Sequence, residues 1–185
     1  GSTNNKNYLT KNYININIPS INSRFYSTTK EYSKRIIIKL KKSHFDIIEL
    51  HNRPVMVSDF VKKINSKIIL YFHNDPRTMK GAKTVSDRIN LLNSVDKIIF
   101  ISNWVKKKFF EGLPNFSENK TQVIYHSIDP VTKNTKKNKQ IIFVGKLNES
   151  KGYDLFCKAL FPILDKHTNW NAISIGDEKR FQHYN

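Results

Sequence analysis

The stretch that decides the fold is residues 67–102, KIILYFHNDPRTMKGAKTVSDRINLLNSVDKIIFIS. A short apolar run, 67–72, is followed by polar turn residues, by a segment with apolar residues at helical spacing, and by a second apolar run, 97–101. Short runs at this spacing are typical of buried parallel strands that are joined by a crossover helix. The stretch therefore predicts one strand–helix–strand unit of an α/β fold.

The same rhythm continues on both sides of this unit. Predicted strands cover 13–18, 45–50, 67–72, 97–101, 122–125, 140–144 and 172–175, and predicted helices cover 29–42, 55–64, 85–95, 104–110 and 153–165. Parallel sheets covered by helices bind their ligands beyond the carboxyl ends of the strands. We therefore look for functional residues directly after each apolar run.

A polar, Lys- and Asn-rich stretch interrupts the pattern at 130–139 and is typical of a linker. It predicts an N-terminal Rossmann-like domain over 1–129 and the start of a second Rossmann-like domain over 140–185. Two strands and one helix cannot bury both faces of a sheet. We therefore expect the second domain to be incomplete within these 185 residues.

The composition narrows the possible classes of function but does not identify one. The net charge of +17, from 32 basic and 15 acidic residues, favours an anionic partner such as nucleic acid, an anionic membrane face or a phosphorylated ligand. The single cysteine, Cys157, falls in an apolar helical pattern, which predicts a buried thiol and excludes an intrachain disulfide. Together with the lack of a membrane-length apolar run, this predicts a cytoplasmic protein.

Polar residues gather after three of the apolar runs. His51, Asn52 and Arg53 follow the run 45–50, and His73, Asn74, Asp75 and Arg77 follow the run 67–72, while His126 follows 122–125. Arg53 and Arg77 are suited to contact phosphate or sugar hydroxyls. Asx turns and strand-ending prolines explain Asn74, Asp75 and Pro54 equally well.

The most informative loop is residues 143–152, FVGKLNESKG. A strand runs into Gly145, where a bound group can approach the backbone, and Lys146 and Lys151 can flank a diphosphate. A helix that starts near Tyr153 points free N–H groups and the positive end of its dipole at the same place. On these grounds alone, a surface loop with two solvated lysines explains the pattern at least as well.

The loop 143–152 resembles the start of the C-terminal domain in glycosyltransferase family 4, where an apolar strand, Gly-Arg, a short loop and Glu-Lys-Gly precede a helix. Segment 123–129 resembles the family's Val-Ile-Pro-Asn-Gly-Val-Asp, although only its frame and Asp129 match. Segment 99–102 and the helix after it, and segment 173–177, resemble further family strand ends. The resemblance covers most of residues 45–177.

This resemblance implies a retaining glycosyltransferase of the two-domain GT-B type. In the family, the Arg and Lys of the loop bind the donor diphosphate, which implies that Gly145, Lys146, Lys151 and Gly152 form that site. Lys146 departs from the usual Arg, so it keeps the charge but loses the bidentate fork. The family's histidine at a strand end faces the donor sugar, and the resemblance assigns this role to His73.

The resemblance also implies the substrates. We expect a nucleotide-sugar donor, a surface-glycan acceptor such as lipopolysaccharide, capsule or a glycolipid, and no metal or other cofactor. His51, Asn52, Arg53, Asn74, Arg77 and His126 are candidates for contacts with acceptor or sugar. The family's paired glutamates are not found in these 185 residues, so we expect this chain to transfer no sugar by itself.

Other interpretations remain open. A nucleic-acid-binding module would account for the charge and for the interleaved aromatics Trp104, Phe109 and Phe110. However, the basic residues are not concentrated in one motif, so no nucleic-acid partner is expected. A sugar phosphorylase or a nucleotide-sugar epimerase would share the fold. The basic helix 29–42 is suited to an anionic membrane face, or is simply a solvated amphipathic helix.

Overall fold

The computed structural model describes residues 27–114, 117–130 and 136–177, together with Ile16 and Thr132. The predicted strand 13–18 lies, except for Ile16, outside these residues. By its internal contacts the chain divides into two compact units, the first ending at Ile128 and the second beginning at Asp129.

Helices and strands alternate within each unit, as the sequence predicts. The helices are α1 (Thr28–Leu40), α2 (Val57–Lys63), α3 (Val85–Ser94), α4 (Asn103–Phe110) and α5 (Tyr153–Lys166). The strands are β1 (Ile47–His51), β2 (Lys67–Phe72), β3 (Lys97–Phe100), β4 (Thr121–Val123), β5 (Gln140–Val144) and β6 (Asn171–Ile175). Short 3-10 turns at Pro54–Met56, Pro76–Thr78 and Glu149–Lys151 precede α2, α3 and α5.

The first unit contains a four-stranded sheet in the order β1-β2-β3-β4, and every pair is parallel. Because the strands follow one another in chain order, right-handed crossovers leave α2, α3 and α4 on the same face. This α/β architecture with a parallel sheet confirms the predicted fold class.

The core of the first unit lies between this face and the helices. Alternate strand residues point into it, including Leu70, Phe72 and Phe100, which are fully buried. Phe109 of α4 packs on Phe72 and Phe100, with ring centroids 5.5 and 5.2 Å apart. Burial of such large rings supplies most of the stabilisation that a core of this kind provides.

Buried Arg88 fixes the loops at one end of this core. Its guanidinium donates to the carbonyls of Ala82 and Lys83 at 3.1 and 2.8 Å, and to the carbonyl of Glu111 at 2.7 Å. The nearby Gly81 has φ +88°, and an added Cβ would lie 2.7 Å from the backbone N of Val55. Arg88 therefore ties the loop before α3 to the end of α4, and Gly81 lets the same loop approach the turn that follows β1.

The second unit pairs β5 with β6 in parallel, and α5 connects them. No described residue from Asp129 onward is buried. Cys157 is only partly covered, so the prediction of a buried thiol is wrong. The reason is that, in the part of the chain that the structure describes, α5 packs against a sheet of only two strands and none of its residues is buried.

Candidate functional site

Three histidines meet at the carboxyl edge of the first sheet. His51 ends β1, His73 directly follows β2, and His126 lies three residues after β4. Strand residues alternate between the two faces of a sheet, and the register pairs His51 with Tyr71. His51 and His73 therefore extend the face that is opposite to the core. We call these three residues the histidine trio.

The imidazoles of the trio are in direct contact. His51 Nδ1 lies 2.8 Å from His73 Nε2, and His73 Nδ1 lies 3.2 Å from His126 Nε2. The ring centroids of each pair are 5.1 Å apart. Thus the structure brings together three of the residues that the sequence identifies as candidates, and it gives both ring nitrogens of His73 a partner.

Asn52 holds His73 in place through the backbone. It has φ +52°, the left-handed conformation that Asn tolerates better than most residues. Its side-chain Oδ1 accepts a hydrogen bond from the His73 backbone N–H at 2.8 Å, and its own N–H donates to the Tyr71 carbonyl at 2.9 Å. Asn52 therefore has a structural role at the site that sequence spacing alone does not reveal.

The environment of His73 favours its neutral form. Partial burial lowers the pKa of His73, and the neighbouring His51 and His126 lower it further. A neutral imidazole has one donor nitrogen and one acceptor nitrogen. At neutral pH, His73 is therefore suited to exchange directional hydrogen bonds rather than to bind an anion by charge.

Two residues of the site are missed by the sequence reasoning. Glu49 Oε2 lies 3.3 Å from His51 Nε2, and Tyr71 stacks on His51 with centroids 4.5 Å apart. Burial raises the pKa of the Tyr71 phenol, and the neighbouring Glu49 carboxylate raises it further. The signal was available, because Glu49 and Tyr71 stand two positions before His51 and His73 and so share their face.

A cavity of about 630 Å³ adjoins this group. Its walls come from the start of α1 and from the carboxyl end of β1 with the turn after it. Hydroxyl, carboxylate, imidazole and guanidinium groups line it above an apolar floor, a mixture that suits a polar organic ligand. The lining includes Thr28, Thr29, Tyr32, Glu49, His51 and Arg53.

Arg77 and Asp75 are engaged away from the trio. Arg77 pairs with Asp75 at 2.8 Å and with Glu111 at 2.7 Å, and these contacts join the turn after β2 to the end of α4. The hydrogen bond from Arg77 lowers the pKa of Asp75. These contacts give Arg77 a structural role, whereas Asn74 is exposed and Arg53 donates to the Asn52 carbonyl at 3.1 Å.

In the second unit, the loop 145–152 connects β5 to α5. Lys146 and Lys151 are exposed, and neither forms an ion pair with any described residue. Gly152 caps α5 with φ +71° and supplies no side-chain bond to the first turn. The loop therefore offers two unpaired ammonium groups next to a helix N-terminus, as the sequence predicts.

Gly176 keeps this loop beside the end of β6. The Gly145 N–H donates to the Ile175 carbonyl at 3.0 Å, and a Cβ on Gly176 would collide with the Gly145 carbonyl oxygen. Only glycine permits this approach. Gly176 is therefore part of the loop's support, and the sequence reasoning gave it no such role.

The structure also bears on the other sequence-based interpretations. Phe109 is fully buried and Phe110 is partly buried in the core, so of the three interleaved aromatics only Trp104 is largely exposed. In the part of the chain that the structure describes, no His, Cys, Asp and Glu residues form a group that is suited to a metal ion. None of the described helices has both the length and the apolar character needed to cross a membrane.

Comparison with known proteins shows two similar proteins from Bacillus subtilis (strain 168). The chain is 30% identical over 158 residues to the protein named "Putative glycosyltransferase YtcC", covering 75% of this chain and 38% of that protein. It is 24% identical over 167 residues to spore coat protein SA, covering 80% of this chain and 44% of that protein. The chain thus spans less than half the length of these relatives.

Among solved structures, the chain is similar to one from the crystal structure of accessory secretory protein 1, 2 and 3 in Streptococcus pneumoniae. The TM-score is 0.48 at 11% identity, and the match covers 81% of this chain and 36% of that chain. No family model matches the chain.

Proposed function

We propose that these residues belong to a retaining glycosyltransferase of the GT-B type, which as a whole transfers a sugar from a nucleoside-diphosphate donor to a glycan or glycolipid acceptor. The observation that carries the proposal is the loop 145–152, which lies between a parallel strand and the start of a helix and contains two lysines that form no ion pair with any described residue. The similarity to a protein named as a glycosyltransferase supports the same reaction.

The proposed role of the second unit is to bind the donor diphosphate. Lys146 and Lys151 contribute positive charge, and the N-terminal N–H groups of α5 add the positive end of the helix dipole. When the bond between the anomeric carbon and the diphosphate breaks, negative charge grows on the leaving oxygen. Fixed cations near that oxygen stabilise the transition state, which is the contribution that a metal ion makes in other enzymes.

The proposed role of the first unit is to hold the sugar and the acceptor. His73 is suited to bind a hydroxyl group, because it is held by Asn52 and favours the neutral form. The adjoining cavity has the size and the mixed lining expected for one or two sugar rings. The acceptor class, a surface glycan such as lipopolysaccharide, capsule or a glycolipid, follows from the family resemblance.

Peripheral contact with an anionic membrane is part of the proposal for a glycolipid acceptor. Helix α1 exposes Lys30, Lys34 and Lys39 together with Ile38, which is 53% exposed. Basic side chains beside an exposed apolar one are typical of helices that lie on a membrane surface. This contact would keep the enzyme on the cytoplasmic face, where nucleotide sugars are available.

Calorimetric titration of the chain with uridine, guanosine and adenosine diphosphates tests the proposal. We expect one of them to bind, and the double substitution Lys146→Ala/Lys151→Ala to weaken binding at least about tenfold, which corresponds to about 1.4 kcal/mol. The matched control is Lys136→Ala/Lys137→Ala, which removes the same charge from exposed positions of the same unit. Equal binding by both double variants would reject the diphosphate site.

A second titration separates the proposal from the nucleic-acid alternative. Tight, strongly salt-dependent binding of RNA or DNA, with no preference for a nucleoside diphosphate, would favour that alternative. If the protein is the proposed transferase, we expect it to bind RNA and DNA weakly and without specificity.

A further inference from the structure

The histidine trio continues as a hydrogen-bonded chain that ends on a carboxylate. Glu49 Oε2 is 3.3 Å from His51 Nε2, His51 Nδ1 is 2.8 Å from His73 Nε2, and His73 Nδ1 is 3.2 Å from His126 Nε2. His51 and His73 each use one ring nitrogen on the side of Glu49 and the other on the side of His126. This series of hydrogen bonds therefore has a direction, because a carboxylate stands at one end and an imidazole at the other.

The carboxylate determines which nitrogens carry protons. An ionised carboxylate only accepts hydrogen bonds, so His51 Nε2 must be the donor of this link. In a neutral ring His51 Nδ1 is then an acceptor, and His73 Nε2 must donate to it. By the same rule His73 Nδ1 is an acceptor, and it receives a hydrogen bond from His126 Nε2.

Neighbouring residues help to hold His51 and His73 in place. His51 stacks on Tyr71 with an interplanar angle of 13°, and Asn52 holds the His73 backbone. The Tyr71 hydroxyl lies 3.5 Å from Glu49 Oε1 and faces the same carboxylate. Arg53, the nearest cationic side chain in the sequence, donates to the Asn52 carbonyl instead of to Glu49.

We propose that Glu49 is a positioning residue that sets the tautomer of His73 through His51, so that Nε2 is protonated and Nδ1 accepts. His126 fills the acceptor position in this structure. Any group that takes the place of His126 at His73 Nδ1 must donate a hydrogen bond, as a hydroxyl does and a phosphate dianion does not. The tautomer does not depend on the proposed glycosyl transfer, so either statement can fail without the other.

Long-range proton–nitrogen NMR spectra of the histidine rings test the proposal on the whole 185-residue chain. At a pH of about 8, above the ordinary histidine pKa of about 6.5, the neutral rings report their tautomers directly. We expect a single His73 tautomer, protonated at Nε2, in the unmodified protein. In Glu49→Ala we expect a second signal from the form that is protonated at Nδ1. Without the carboxylate, nothing prevents the donor and acceptor roles of the imidazole nitrogens from being reversed.

Two further variants complete the test. Glu49→Gln is expected to release the constraint as well, because an amide donates as readily as it accepts, and it keeps the side-chain volume if the alanine variant does not fold. Glu149→Gln removes the same charge from an exposed position in the second unit and should leave the His73 spectrum unchanged. A mixed His73 tautomer in the unmodified protein, or an unchanged tautomer in both Glu49 variants, would overturn the proposal.

Discussion

The two units share one building plan but differ in what they bury. Each has parallel strands joined by a helix, yet the first has a continuous core and the second has no buried residue among those described. Phe109 on α4 is 0% exposed, whereas Phe161 on α5 is 73% exposed. The comparison teaches that a strand–helix pattern specifies local elements, and that only additional layers convert them into a stable domain.

Amide hydrogen exchange gives the largest contrast between the units. We expect the amides of Leu70 and Ile98 in the first sheet to exchange at least about a thousandfold more slowly than those of Ile142 and Ile173 in the second. Strands without a buried face open locally at little cost in free energy. Equal protection in both sheets would show that the second unit is stabilised in a way that burial does not reveal.

Matched phenylalanine substitutions sharpen the comparison. Phe109→Ala should lower the free energy of unfolding by about 3–5 kcal/mol, because it removes a ring that packs on Phe72 and Phe100. Phe161→Ala should change it by no more than about 0.5 kcal/mol, since that ring is mostly in solvent. Urea denaturation measures both, and a large loss in Phe161→Ala would contradict the description of the second unit.

Gly81 in the first unit and Gly152 in the second give another comparison, with a smaller expected effect on stability. Both have φ in the left-handed region, but a Cβ at Gly81 meets the Val55 backbone, whereas a Cβ at Gly152 meets no atom within 4 Å. We expect Gly152→Ala to cost about 1 kcal/mol from backbone strain and Gly81→Ala to cost more, about 2–3 kcal/mol. If urea denaturation shows a larger loss of stability for Gly152→Ala than for Gly81→Ala, Gly81 does not approach the Val55 backbone as closely as described.

The smallest predicted effect is a dependence of stability on pH. The pKa of His73 is lower in the folded chain, so the unfolded chain binds more protons as the pH falls below about 6.5, and stability decreases there. Replacing His73 by Gln should reduce this decrease. Replacing the exposed His167 of the second unit by Gln should leave the decrease as it is, and urea midpoints at several pH values measure both.

Much of this architecture could be predicted from the sequence, because apolar runs and helical spacing reflect local chemistry. Predicted and observed bounds agree at both ends for β2, 67–72, and for β5, 140–144, where turn residues bound each run. The carboxyl-edge rule also anticipated that His51, His73 and His126 would lie on one rim.

The remaining features depend on contacts between distant parts of the chain. The pairing of Arg77 with Glu111, which is far away in sequence, could not be predicted, while the expected contact of Arg77 with phosphate or sugar stays a prediction. Glu49 and Tyr71 join the trio because neighbouring strands bring them together. Strand alternation shows that they share a face with His51 and His73, but not that they contact these histidines. The partial exposure of Cys157 depends on how little of α5 is covered in the described part of the chain, and the sequence of the helix does not show this.

The central claim is that the loop of the second unit receives a nucleoside diphosphate. Backbone NMR spectra of the chain, recorded during titration with the diphosphate that binds in calorimetry, test it most directly. The account predicts that the largest shifts occur at residues 145–152 and at the first turn of α5. Shifts that are confined to the basic helix α1, or spread evenly over the exposed lysines, would contradict it.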